Sequence, residues 1–192
     1  MILGSHNSWS YLPVRKWWMK LLAFTARCQN IDIHTQYEYG VRCFDLRLRF
    51  DSYHHLPIIS HGKIQYKYTP QQLKEDLEYI NSKGDCYVRI LHEVRNKKEY
   101  TASSKKEFVY YCYAFQKKFP NIKFWCGRNL YNWEYDFRFN TEEPSCGEYY
   151  ASVRLPKIID DWWPWLYARL NNKKIKSQSH QSDILLLDYV NI

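Results

Sequence analysis

Between Val41 and Phe50, "VRCFDLRLRF" puts Phe44, Leu46, Leu48 and Phe50 on one side of the chain and Cys43, Asp45, Arg47 and Arg49 on the other. Alternation over that length predicts a β-strand, because successive side chains leave a strand on opposite faces. One face is ordinary core. The other carries Asp45 and Arg47, two residues apart and facing the same way. A shorter apolar run, "LPIISHG", predicts a strand ending at Ser60-His61-Gly62, and "CYVRILHEVR", "IKFWCG" and "NWEYDFRF" predict others. "SDILLLDYV" is apolar without interruption, as in a strand buried on both faces, and Asp188 falls near its end.

Between these runs the period changes. Thr69-Pro70 followed by Gln72 reads as a capping box with proline at the first helical position, and Leu73, Leu77 and Ile80 then share one face as far as Gly84. Ser104 with Glu107 predicts the start of a second helix carrying Phe108, Tyr111, Phe115 and Phe119; Pro156 to Leu170 predicts a third, kinked at Pro164. Strands alternating with helices predict an α/β fold on a largely parallel sheet. Parallel sheets and barrels gather their chemistry at the C-terminal ends of the strands, where His61 and Asp188 fall. His6 ends the first short strand, in "LGSHNSWSYL", where glycine and serines open into a loop.

The chain of 192 residues shows no repeat and no low-complexity stretch, which predicts a single domain over 1–192. Its 28 Lys and Arg against 20 Asp and Glu leave a net charge of +8, suited to phosphate-bearing metabolites, nucleic acid or an acidic membrane face. The six cysteines are scattered without a CxxC pair, which predicts reduced, mostly buried thiols and no zinc knuckle. "MILGSHNSW" has neither a basic start nor an apolar core, so the sequence as written predicts a cytoplasmic protein, or a secreted one whose signal has been removed.

His6, Asp45, Arg47, His61 and Asp188 make a chemically coherent set. Two histidines can divide the roles of general base and general acid. An arginine between them can grip phosphate oxygens and stabilise charge developing at phosphorus. Carboxylates beside the imidazoles would fix their tautomers. That kit splits a phosphodiester when a neighbouring hydroxyl is the nucleophile; the alternative is a set of hydrogen-bonding residues at strand ends with no reaction.

"GSHNSWSY", "GVRCFDLRLRF", "SHG" and "LLLDYVN" together resemble, in order and approximate spacing, the phosphatidylinositol-specific phospholipase C catalytic (X-type) domain, closest to its metal-independent bacterial form. The resemblance spans the chain. It implies a compact, distorted and incompletely closed (β/α) TIM-like barrel with trimmed loops. It also implies His6 as base, Asp188 as its carboxylate partner, His61 as acid with Asp45 beside it, and Arg47 on the phosphoryl oxygens. Arg47 stands where animal members bind calcium through an acidic residue, so no metal and no cofactor is expected. The bacterial pattern has Asp where this chain has Asn7, a neutral partner for Arg47 that can still bond phosphate. "ILHEVR" falls on the fourth strand, where the family places charged residues facing the inositol ring, which makes His92, Glu93 and Arg95 candidates, with Arg128 a further one; the alternative is ordinary solvent-facing charge. Trp17 and Trp18, in "RKWWMKLL", fall where it has a rim helix; the segment suits either an interfacial helix or core packing, and "DDWWPW" suits core or a partner surface.

Three functions remain open on these grounds: cleavage of phosphatidylinositol or its glycan-linked forms to diacylglycerol and a cyclic inositol phosphate; the same chemistry on a soluble phosphodiester such as a nucleotide messenger; and a silent module binding inositol phosphates or acidic membranes. A monomer with peripheral membrane contact, and no stable nucleic-acid complex, is expected.

Overall fold

The computed structural model describes residues 1–50, 56–94, 96–131, 133–151 and 163–192, which share one eight-stranded sheet. Strand β1 (Ile2–Ser5) pairs in parallel with β2 (Val41–Phe50) on one side and with β8 (Ile184–Leu187) on the other. Beyond β2 come β5 (Tyr87–His92) and β6 (Lys123–Asn129), and beyond β8 comes β7 (Cys146–Tyr149), all parallel. Among the described residues no pairing joins β6 to β7. The curled sheet is therefore the distorted, incompletely closed barrel that the sequence implies.

Two strands leave this pattern. β2 outruns its parallel neighbours, and its last residues, Leu48 to Phe50, pair antiparallel with β3 (Pro57–His61), which turns at Gly62 into β4 (Ile64–Gln65). His61 thus ends a hairpin arm and not a parallel barrel strand. The strand expected in "NWEYDFRF" does not form among its described residues. Phe137 and Phe139 sit instead in an irregular segment whose rings plug the core beside Phe124. They approach Gly127 so closely that a Cβ there would lie 3.1–3.2 Å from them.

The helices are α1 (Ile33–Glu38), α2 (Pro70–Lys83), α3 (Ala102–Lys118) and α4 (Pro164–Ser177). Thr69 caps α2, its hydroxyl accepting from the Gln72 amide at 3.1 Å, and Leu73, Leu77 and Ile80 are buried as expected. α3 starts earlier than predicted. Thr101 is its cap, and Ser104 closes the box by accepting from the Thr101 amide at 3.1 Å. Pro164 opens α4 and does not kink it, since a first-turn proline lacks only an N–H with no helical partner. Pro156 lies outside the described residues.

Alternation sorts side chains into two compartments. Phe44, Leu46 and Leu48 pack outward with Leu77, Ile80 and Phe108 in the main core. Cys43, Trp125, Ile184 and Leu186 fill the barrel interior with Tyr150. Gly4 belongs to this inner layer, where a Cβ would stand 2.6 Å from Leu186. All six cysteines are free. "RKWWMKLL" continues as a 3-10 helix, Trp17–Thr25, that buries only Met19. Trp17 is 79% and Leu21 78% exposed, beside exposed Trp18, Leu22 and Phe24, so the helix joins the core through Met19 and most of its apolar side chains do not pack there. No described helix is long and apolar enough to cross a membrane.

Candidate active site

Above the apolar inner layer, the C-terminal strand ends carry buried polar groups. Arg47, on the inner face of β2, is almost fully buried. Its Nε donates to Asp45 Oδ2 at 2.8 Å, and its Nη1 stands 3.5 Å from Glu93 Oε2. An unpaired buried guanidinium would be prohibitively costly, so these carboxylates are a structural requirement. Burial pushes the Asp45 carboxyl up, but Arg47, Arg89 and the Asn7 amide outweigh it and hold Asp45 below the usual carboxylate range.

Each carboxylate also holds backbone beside a histidine. Asp45 Oδ2 accepts from the Asn7 N–H at 3.0 Å, and Glu93 Oε1 accepts from the Gly62 N–H at 2.7 Å. Asn7 is left-handed, with φ 44°, a conformation asparagine tolerates better than most residues. The Ser8 hydroxyl accepts from the Asp45 N–H at 2.7 Å and ties the same turn to β2.

His6 is fully buried. Its Nδ1 lies 2.6 Å from Asp188 Oδ1, and Asp188 Oδ2 accepts from the Ala151 N–H at 3.1 Å. Burial lowers the imidazole well below its ordinary value, helped by Arg47, His61 and Arg89, and burial raises Asp188 to about 7. The two directions have one cause: the dry interior disfavours charge on either group, imidazolium or carboxylate. With Nδ1–H donating to Asp188, Nε2 carries the lone pair, and among the described residues Nε2 has no partner. That lone pair is open to a group entering the site. Tyr150 stacks on the ring at 3.7 Å, nearly parallel, and locks its plane.

His61 meets His6 edge to face, with ring centroids 5.2 Å apart, and is only partly buried. The expected pairing of His61 with Asp45 does not form: Asp45 Oδ2 is taken by Arg47 and Asn7, and the His61 ring is held elsewhere. His61 Nδ1 instead faces the Ala26 carbonyl at 3.1 Å and the Cys28 sulfur at 3.7 Å. Burial and Arg47 lower His61, against Glu93, the Ala26 carbonyl and Asp45.

Of the residues expected around a headgroup, Asn7 and Glu93 reach the site. His92 does not. It points outward, stacks on Phe108 at 4.9 Å and bonds the Tyr135 hydroxyl, and burial lowers it to about 3. Arg89, aligned with Asp45 in the β2–β5 register, is the inward residue of that strand, so parity puts His92 on the helical side. Arg128 is exposed and pairs with Glu143 at 2.5 Å, and Arg95 lies outside the described residues. Sequence reasoning missed Arg89, Glu148 and Tyr150. Arg89 pairs with Glu148 at 2.6 Å, and Glu148 accepts from the Tyr150 hydroxyl at 2.8 Å. Cys146, Glu148 and Tyr150 alternate along and just beyond β7, the signal that could have found them.

No protein-family model and no curated protein matches the chain. Solved structures do. Phosphatidylinositol-specific phospholipase C from Listeria monocytogenes superposes with a TM-score of 0.63 at 14% identity, over 98% of this chain and 87% of that one. The enzyme of Staphylococcus aureus, in a structure from work on modulating its membrane binding, gives 0.62 at 17% identity, over 98% and 85%. This likeness defines the fold: a compact, open α/β barrel of the bacterial phospholipase C kind. The architecture is the one that the motif resemblance implies, and the superposition covers 98% of this chain.

The ion-pair arrangement predicts the cost of removing Asp45. Breaking a buried pair from one side costs about 3–5 kcal/mol, and since Glu93 remains near Arg47, Asp45→Ala should lose about 3 kcal/mol in urea unfolding. A loss under about 1 kcal/mol, the value of an exposed pair, would contradict the arrangement.

Proposed function

We propose that this protein cleaves inositol phospholipids, or a closely related phosphodiester lipid, by directing a hydroxyl of the substrate at its own phosphorus. The observation that carries the reading is the buried, unpartnered Nε2 of His6, backed by Asp188 and faced by a second imidazole across the site. His6 Nε2 takes the proton of the attacking hydroxyl, and Asp188 stabilises the imidazolium that forms. Arg47, oriented by Asp45 and Glu93, stabilises charge on the phosphoryl oxygens. His61, doubly protonated, gives a proton to the departing alkoxide, so that an alcohol and a cyclic phosphate leave. An internal nucleophile needs no activated water and no metal; effective molarities for such attack reach about 10⁵ M or more. Calcium would want six or more oxygen ligands, whereas Asp45 and Glu93 are engaged by Arg47.

The choice of a lipid over a soluble diester is supported by the exposed Trp17, Trp18, Leu21, Leu22 and Phe24, with Arg15, Lys16 and Lys20 among and before them. Aromatic and apolar side chains mixed with cations suit an anionic interface. The solved structures of similar fold are phosphatidylinositol-specific enzymes, which supports the headgroup class. Arg89, Glu148 and Asn7 add hydrogen-bonding groups fit for a polyhydroxylated ring.

Phosphorus NMR of the protein with phosphatidylinositol, in excess chelator, should show a cyclic phosphate ester before any open monoester. His6→Ala and His61→Ala should each lower turnover about 10²–10⁴-fold, the usual contribution of a proton-transfer group. Open monoester as the first product, or near wild-type turnover in either variant, would overturn the mechanism.

The pH dependence follows from the two imidazoles, because kcat/KM reports the free enzyme's base and acid. His6 must be unprotonated, and its lowered value keeps the base form present down to acid pH. His61 must be protonated, and its lowered value means the acid form is lost as pH rises through a point below about 6.5. The optimum of kcat/KM therefore falls on the acid side of about 6.5; an optimum above about 7.5 would assign the limbs to other groups.

A further inference from the structure

Cys28 takes no part in the chemistry above, yet it sits at its centre. The residue is fully buried, and Ser10 accepts from its backbone N–H at 2.9 Å. Its sulfur lies 3.5 Å from the Ala26 carbonyl and 3.7 Å from His61 Nδ1. Among the described residues, His6, Cys28 and His61 are the one group whose donor atoms converge as a metal-binding cluster, all within 4.8 Å of one another. Tetrahedral zinc, with bonds of about 2.3 Å to sulfur and 2.0–2.1 Å to nitrogen, sets its sulfur and nitrogen ligands about 3.6 Å apart. The Cys28–His61 separation already has that length.

We propose that His6, Cys28 and His61 form a site for a thiophilic divalent cation of the zinc type, and that its occupancy silences the protein by seizing both imidazoles. The silencing half rests on the function proposed above; the site itself does not. His6 Nε2 offers a lone pair that nothing else uses, and the Nδ1 contact to Asp188 supplies the carboxylate–histidine support that metal-bound imidazoles characteristically have. Cys28 contributes as thiolate. Burial and the neighbouring Asp188 push its thiol well up, so the metal ion must displace that proton. His61 shifts its own proton from Nδ1 to Nε2 and binds through Nδ1, so one proton, from sulfur, is released per cation. The fourth position faces the Ala26 carbonyl or water.

The local charge permits this. Arg47 pairs with Asp45 and Glu93, Arg89 with Glu148, and Asp188 faces His6, so the carboxyl groups outnumber the guanidinium groups. One soft sulfur with two imidazoles selects zinc, cobalt or copper over magnesium and calcium. Entry lies on the side of His61, the one member that is partly exposed.

Cobalt reports the site without substrate. Titrating the untagged, reduced and chelator-stripped protein with Co²⁺ should give one equivalent of tetrahedral visible absorption and a near-ultraviolet sulfur-to-cobalt band, both abolished by Zn²⁺. Cys28→Ser should remove the sulfur band and weaken binding at least tenfold. His61→Ala, made at a partly exposed position, should also weaken it at least tenfold. With phosphatidylinositol, stoichiometric Zn²⁺ should stop turnover of the wild type and chelator restore it. No tetrahedral spectrum at one equivalent, or a spectrum unchanged in both variants, overturns the site. A full spectrum in a protein that never turns over the lipid retires the proposed function and leaves the site standing.

Discussion

A guanidinium sealed inside a barrel must be neutralised, and in this protein that requirement organises everything around it. Arg47 draws Asp45 and Glu93 to its two ends. Each carboxylate also accepts from a backbone N–H next to an imidazole: Asp45 from Asn7, beside His6, and Glu93 from Gly62, beside His61. One buried cation thereby sets the span between two histidines that come from opposite arms of β2's neighbourhood. The second pairing, His6 with Asp188, is anchored separately. Gln29 Nε2 donates to the carbonyls of His6 and Leu187, at 3.1 and 2.9 Å, stitching β1 to β8 where the two residues leave their strands. The geometry is fixed before any ligand arrives, as a preorganised electrostatic site requires.

The site was legible where a simple period governed it. Alternation in β2 put Asp45 and Arg47 on one face, and the apolar run before Asp188 marked a strand buried on both sides. Legibility failed where partner choice mattered. Asp45 was expected beside His61, but an arginine two residues along the same face competes for it and wins through a 2.8 Å charged hydrogen bond. His92 was expected to face the ring; the register of β2 against β5 makes Arg89 the inward residue. β7 escaped because a short, half-buried strand carries too few apolar positions to announce itself. "NWEYDFRF" misled for the opposite reason, since alternating aromatics also serve an irregular segment laid over a core.

The outer features have a common electrostatic sense. A net charge of +8 draws the protein toward anionic surfaces, and the apolar helix Trp17–Thr25, preceded by Arg15 and Lys16, is the exposed surface fit to enter one. Its neighbour Trp163, itself exposed, lies 6.0 Å from Phe24 in edge-to-face contact and extends the same patch. The remainder of "DDWWPW" before Trp163 falls outside the described residues. Under the function proposed above, site and patch together suit a small barrel with fixed machinery at a lipid surface.

The central claim is that the nucleophile belongs to the substrate. A phosphatidylinositol analogue lacking only the hydroxyl next to the phosphodiester separates this from every mechanism that activates water. The account predicts that the analogue binds, competing with phosphatidylinositol at comparable concentration, and releases no diacylglycerol under conditions where the parent lipid is consumed. Release of diacylglycerol from the analogue at a rate near that of the parent would contradict the account.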